Sequence, residues 1–309
     1  MKTDERDRPG QQSTEAAGRL PEQARVGAVH LQISDLHRSL DYYAGVLGLV
    51  VLDRTTERAS LGTADSPPLL HLVERKGVAA VPRRGRFGLY HFAVLLPHRV
   101  ALAHFAAHAF RLGLRPGMAD HAVSEALYLN DPDGLGIEIY ADRPRSAWTY
   151  VNTEVVMTTD PLDIAELLAA GTDGVWSGAP PGTTIGHVHL HVGELSSAAR
   201  FYGGALGFAI TVSSYSGALF FSAGGYHHHL ATNVWSPGPS ATDDEAKLLE
   251  WELVVDSAIP TPSPNGCESV ATGWMRRQRG CGRGTSGGSR SMSDSRDIDE
   301  LQRLGPWSK

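Results

Sequence analysis

At 309 residues, 41% hydrophobic and 20% charged, the chain has room for two domains with ample core and the composition of an ordinary soluble protein. A net charge of −6 without any Lys/Arg-rich run argues against a nucleic-acid partner, and no apolar run approaches a membrane span. Two cysteines, Cys267 and Cys281, are too few for a disulfide framework or a zinc–thiolate site, so a cytoplasmic setting is expected.

The first 25 residues are polar and lack the apolar core of a signal peptide, which predicts a disordered leader over 1–25. Val29 to Ile33 then alternates like a strand. Ser34 is the expected cap of a helix carrying Leu36, Leu40, Tyr43 and Leu47 at three- and four-residue spacing, and Gly48 ends it. Val50 to Leu52 and Leu69 to Val73 read as later strands. A second unit starts at the Tyr90–Val94 strand and passes through a helix around Val100 to Leu112. It closes with strands near Ala126–Leu129 and Ile137–Tyr140. Residues 143–182 read as a linker with one short helix, Asp163 to Ala170, and end in a Pro/Gly-rich joint.

From Val188 the first pattern returns. Shifting it by 159 positions lays His30 on His189, Leu36 on Leu195, Tyr43 on Tyr202 and Gly48 on Gly207, so the chain is built from copies of one unit. A fourth copy begins at Trp251 and stops in mid-unit. From Ser257 the sequence turns Pro-, Gly-, Ser- and Arg-rich with no sustained period, a tail expected to be disordered. The abruptness of the change favours a reading-frame shift over a natural tail or a true divergence, and an intact reading frame there would overturn this.

Two stretches carry chemistry. Tyr90-His91-Phe92-Ala93-Val94 is a strand containing a histidine. Asp131-Pro132-Asp133-Gly134 is a tight turn feeding a strand in which Glu138 sits among apolar neighbours. A carboxylate there is costly to bury unless it is paired or binds a metal. His91 and Glu138 supply two of the three ligands of a 2-His-1-carboxylate site, which suits non-haem Fe(II) and leaves positions open. His30 and His189 occupy equivalent positions in their own units, and unit pairing decides which is the third ligand. No G-x-S-x-G run or cysteine nucleophile is present, which argues against a covalent hydrolase.

These stretches, with Asp120 to Leu129, Ile185 to Val192 and Gly224 to His229, resemble the vicinal oxygen chelate superfamily of glyoxalases, bleomycin-resistance proteins and type I extradiol dioxygenases. Within it the chain looks like the two-domain bacterial catechol-2,3-dioxygenases. The resemblance implies an α+β fold of tandem βαβββ modules whose curled sheets form cups around a metal. The first domain would be 26–142 with two modules. The second would be 183–256, with a third module and an incomplete fourth, followed by the aberrant tail over 257–309. It implies Fe(II), with Mn(II) as the other candidate ion, and a small aromatic diol and O2 as substrates, opened to a semialdehyde. Self-association into a homo-oligomer is left open.

The resemblance also favours His189 over His30 as third ligand. It puts the acid–base histidine among His227, His228 and His229, with His227 and His229 the chosen pair, or at His71 if the first module is the partner. Alternation sends His227 and His229 to one face and His228 to the other. His229 is also a candidate fourth ligand of a glyoxalase-type site. Tyr128 and His121 would hydrogen-bond a substrate hydroxyl. The rival readings are a Ni(II) or Zn(II) isomerase or lyase, and a binding protein without redox chemistry.

Overall fold

The computed structural model describes residues 18–82 and 85–255; the expected leader up to residue 17 and the expected tail over 257–309 lie outside them. The first unit is β1 (Arg25–Ile33), α1 (Leu36–Gly45), β2 (Val50–Arg54), β3 (Arg58–Gly62) and β4 (Leu70–Glu74). The second is β5 (Gly88–Leu95), α2 (Arg99–Arg111), β6 (Gly117–Asp120), β7 (Ser124–Asn130) and β8 (Gly136–Asp142). A small hairpin, β9 (Tyr150–Val151) and β10 (Glu154–Val155), and a short helix, α3 (Ile164–Ala169), lead to the third unit. That unit is β11 (Thr184–His191), α4 (Leu195–Ala198), β12 (Ala209–Val212), β13 (Ala218–Ser222) and β14 (Leu230–Asn233). A last strand, β15 (Lys247–Val254), opens the fourth.

Sequential units do not pair. The second and third share one eight-stranded sheet, ordered β12-β13-β14-β11-β5-β8-β7-β6, while β15 returns to the first in a five-stranded sheet, β15-β1-β4-β3-β2. Of the two pairings left open by the sequence, the observed one joins the second unit to the third. In each sheet two units meet in an antiparallel strand pair, at the centre of the larger (β11 with β5) and at one edge of the smaller (β1 with β15). Outside that pair, parallel neighbours flank it: β14 and β8 in the larger sheet, β4 in the smaller.

Strand alternation gives each sheet one apolar face. Val29, Leu31 and Ile33 of β1 are fully buried and join a single core with Tyr43, Phe92, Phe105, Ile137, Val188 and Phe221. At about 1.5–3 kcal/mol for each large side chain removed from water, this shared core fastens the two sheets together. The turn between β7 and β8 adds a polar tie. Buried Asp133 accepts from the Ser34 backbone N–H at 2.8 Å and from its hydroxyl at 2.6 Å, and pairs with Arg38. Asp131 accepts from the Tyr43 hydroxyl at 2.9 Å. Ser34 is therefore engaged elsewhere, and the cap expected of it falls to Asp35, whose carboxylate accepts from the Arg38 backbone N–H.

The third unit's helix departs from its counterpart. After one α turn it widens into a π-helix over Ala199–Ala205, where the Gly203-Gly204 pair lowers helical preference. The two antiparallel pairs share a finer detail. Both are bulged at corresponding places, between Ile185 and His187 against β5 and between Val26 and Val29 against β15. Gly186 sits in the first bulge because a Cβ there would lie 1.8 Å from the Tyr140 hydroxyl. Gly27, 159 positions earlier, sits in the second.

Candidate metal centre

The bulge and the pairing register decide which side chains meet. On the concave face of the larger sheet, Ala93 of β5 is flanked by Glu138 of β8 on one side and by His187 of β11 on the other. Its methyl group is small enough for both long side chains to approach over it. His91, two residues back on the same face, completes the group. The ligand atoms of His91, Glu138 and His187 all lie within 4.8 Å of one another, and all three residues are buried. Glu138 Oε2 is 2.9 Å from His91 Nε2 and 3.1 Å from His187 Nε2.

The protonation states suit a cation. Burial pushes the Glu138 carboxyl up, but the charge and hydrogen bond of His187, then the proximity of His91, outweigh it and hold the group well below the usual carboxylate range. Burial pulls His187 down to about 4 against the pull of Glu138. At neutral pH the site therefore offers a carboxylate and neutral imidazole, the forms that bind metal. His91 Nε2 and His187 Nδ1 are buried without a hydrogen-bond partner. An orphaned imidazole nitrogen beside a buried carboxylate is what a cation between them would satisfy.

The other expected ligands are outside the trio, His189 beside it and His30 in the other sheet. His189 pairs directly with His91 across the strands and stands one step farther from Glu138. Its Nε2 accepts from the Asn233 amide at 2.9 Å, and burial holds its pKa well below the ordinary histidine value. His30 belongs to the smaller sheet, beside His71 and Glu252. The sequence reading missed His187 because the repeat drew attention to the position it shares, His30 with His189. The signal that could have found it was the glycine before it, which marks a bulge that re-aims the next side chain.

The trio opens into a cavity of about 380 Å³ lined by Tyr90, Tyr128, His121, Phe220, His228 and Trp235, among others. Tyr128 pairs across the strands with Glu138, and burial, then the Glu138 charge, raises its hydroxyl pKa well above 10. The His121 tautomer follows from its contacts. Its Nδ1 donates to the Thr158 carbonyl at 2.6 Å, so in the neutral ring Nε2 accepts from the Tyr128 hydroxyl, also at 2.6 Å.

The three-histidine run divides by face. His228 lines the cavity, its ring 4.0 Å from that of His187. His227 points away. Its Nε2 donates to Asp142 at 2.9 Å, and its Nδ1 lies 2.7 Å from His228 Nδ1. His229 lines a separate cavity of about 400 Å³ with Gly27, Ala28, Thr184 and Glu252, and burial lowers its pKa to about 4. It is therefore outside the trio and its cavity.

No helix among the described residues is long and apolar enough to cross a membrane. A sequence profile of the Glyoxalase/Bleomycin resistance protein/Dioxygenase superfamily matches residues 25–139 and 184–258. A catechol-2,3-dioxygenase of Bacillus subtilis (strain 168) is 47% identical over 220 residues, covering 70% of this chain and 77% of that protein. A crystal structure from Bacillus subtilis strain 168 superposes with a TM-score of 0.50 at 15% identity, over 72% of this chain and 66% of the other. Glyoxalase I from Zea mays superposes with a TM-score of 0.42 at 17% identity, over 73% and 72%. With more than half of its length matched by the profile and nearly half of the residues identical to a curated member over the aligned region, the chain belongs to the Glyoxalase/Bleomycin resistance protein/Dioxygenase superfamily.

Proposed function

We propose that the protein is an Fe(II)-dependent extradiol dioxygenase that opens a catechol-like aromatic diol with O2 to a ring-opened semialdehyde, in a cytoplasmic setting. One observation carries the reading: a buried His91–Glu138–His187 trio at the floor of an aromatic-walled cavity. The 47% identity to a protein named catechol-2,3-dioxygenase supports the same reaction. Three protein ligands on one side are the facial arrangement of non-haem Fe(II) oxygenases. When bound, Fe(II) supplies chelation of the two diol oxygens and the electron flow that lets O2 react.

The chain's own groups do the rest. Tyr90, Phe220 and Trp235 offer apolar ring faces that hold an aromatic substrate and exclude water. Tyr128 keeps its proton and donates a hydrogen bond through it to His121, so its oxygen lone pairs remain to accept from a substrate hydroxyl. His228 is the acid–base group. Asp142 accepts a hydrogen bond from His227 Nε2–H, so His227 Nδ1 accepts from His228 Nδ1, and His228 Nε2 is left as a bare basic nitrogen. Burial keeps His228 neutral, ready to take a diol proton and return it when the ring opens. In this reading His227 and Asp142 position and His228 transfers.

The test is a ring-cleavage assay on protein loaded anaerobically with Fe(II). Addition of catechol and air is expected to give O2 uptake matched by a yellow product, and neither in His91→Ala. Folded, iron-loaded protein that consumes no O2 across a panel of diols would overturn the proposal.

A further inference from the structure

The smaller sheet carries a second group of metal-ligating side chains. His30 of β1, His71 of β4 and Glu252 of β15 bring their ligand atoms within 4.8 Å of one another. They are half-buried and lie on the sheet face opposite the core residues Val29 and Leu31. The topology repeats that of the first trio. There, the ligands come from both central strands, β5 and β11, and from β8, the parallel neighbour of β5. Here they come from the corresponding pair, β1 and the edge strand β15, and from β4, the parallel neighbour of β1. The carboxylate has moved from the flanking strand to one strand of the pair, and His30 stands where the larger sheet has His189.

The local hydrogen bonding is that of ligating imidazoles. His30 Nε2 lies 3.2 Å from Glu252 Oε1, while its Nδ1 faces Glu250 Oε1 at 3.4 Å. His71 Nδ1 is 2.9 Å from the Ser60 hydroxyl, so Nε2 is the atom it offers. Each ring thus has an oxygen beside Nδ1 that is able to accept from it, orient the ring and raise the basicity of Nε2, as in histidines bound to metal. The rings stack with centroids 4.3 Å apart, which holds both nitrogens on one side. Gly27 makes room for the carboxylate, because a Cβ there would lie 2.8 Å from the Glu252 side chain. Glu252 also lines the 400 Å³ cavity.

We propose that His30, His71 and Glu252 bind a second divalent transition-metal ion. Two imidazoles and a carboxylate with solvent access suit Zn(II), Co(II) or Ni(II) rather than Mg(II) or Ca(II). The ion would clamp β15, which among the described residues pairs only with β1, to both β1 and β4. Its role is to hold the last strand in place.

The experiment is Co(II) titration of the metal-depleted full chain, with bound metal counted by atomic emission. Wild type is expected to hold two ions per chain. His30→Ala/His71→Ala and His91→Ala/His187→Ala should hold one each. Glu252→Gln, almost isosteric, should also lose one ion while keeping the wild-type circular dichroism spectrum. Zn(II) should still raise the Tm of His91→Ala/His187→Ala, and fail to do so when His30 and His71 are also replaced. One ion per chain in wild type, retained by His30→Ala/His71→Ala, would overturn the second site. One ion that survives loss of His91 and His187 would instead leave it standing and count against the larger site.

Discussion

The two sheets build similar cups from similar strands, yet the cups differ in depth. In the larger, all eight strands come from two complete units, and the side chains of His91, Glu138 and His187 are 6%, 3% and 2% exposed. In the smaller, β15 is the sheet edge among the described residues, and the side chains of His30, Glu252 and Glu250 are 20%, 28% and 43% exposed. One backbone plan therefore yields a dry histidine–carboxylate group and a wet one, and the number of flanking strands sets the difference. Desolvation is what makes the first a candidate for chemistry. Charges in a dry cup interact strongly and must be matched, whereas in the open cup water screens them.

The deep cup suffers most from loss of a ligand. His187→Ala should abolish ring cleavage and iron retention together, measured by O2 uptake and metal content. His189→Ala, on the same strand face, should leave the ion in place, with iron affinity reduced no more than about 10–100-fold through loss of outer support. Equal loss in both variants would mean that the ligand set is wrong. Next in size is His228→Ala, expected to lower kcat by about 10²–10⁴-fold with iron content unchanged. Asp142→Asn should fall in the same direction, because it disturbs the tautomer that bares His228 Nε2.

Acid should separate the cups further. His187, His189, His228 and His229 all have folded pKa values lowered by burial, His187 and His229 to about 4. As pH falls below about 6.5 the unfolded chain takes up protons that the folded cup excludes, so stability drops. Each such histidine removes on the order of 1 kcal/mol per pH unit until its folded pKa is reached. Thermal unfolding of metal-free protein between pH 7 and 4 should therefore show a steep fall in Tm. The smallest effect belongs to the open cup. Glu250→Gln in metal-free protein should change stability by no more than about 0.5 kcal/mol in chemical denaturation.

Much of this was legible in the sequence, and the reason is local. The unit boundaries, His91 and Glu138 follow from strand alternation and turn chemistry within a few residues. The histidine that joins them did not follow. His187, His189 and His191 share a strand face, and a period of two cannot choose among them. The 159-position repeat points to His189, because it matches His30, whereas His187 falls opposite Ala28. The choice is made by the bulge at Gly186 and by the pairing of β11 with β5, contacts about a hundred residues apart in the chain. The division of His227, His228 and His229 was half legible. Alternation separated the faces, but which face looked into the cavity depended on Phe221, which accepts the His229 N–H, and on Asp142.

The interleaved pairing also imposes an order on biosynthesis. Every strand of the larger sheet has left the ribosome once Asn233 emerges, so that cup can close while the chain is still growing. The smaller sheet must wait. His30 and Glu252 are 222 positions apart, and until β15 arrives one edge of β1 stays open to any passing strand. The segment most exposed to misassembly during translation is therefore among the first to be made.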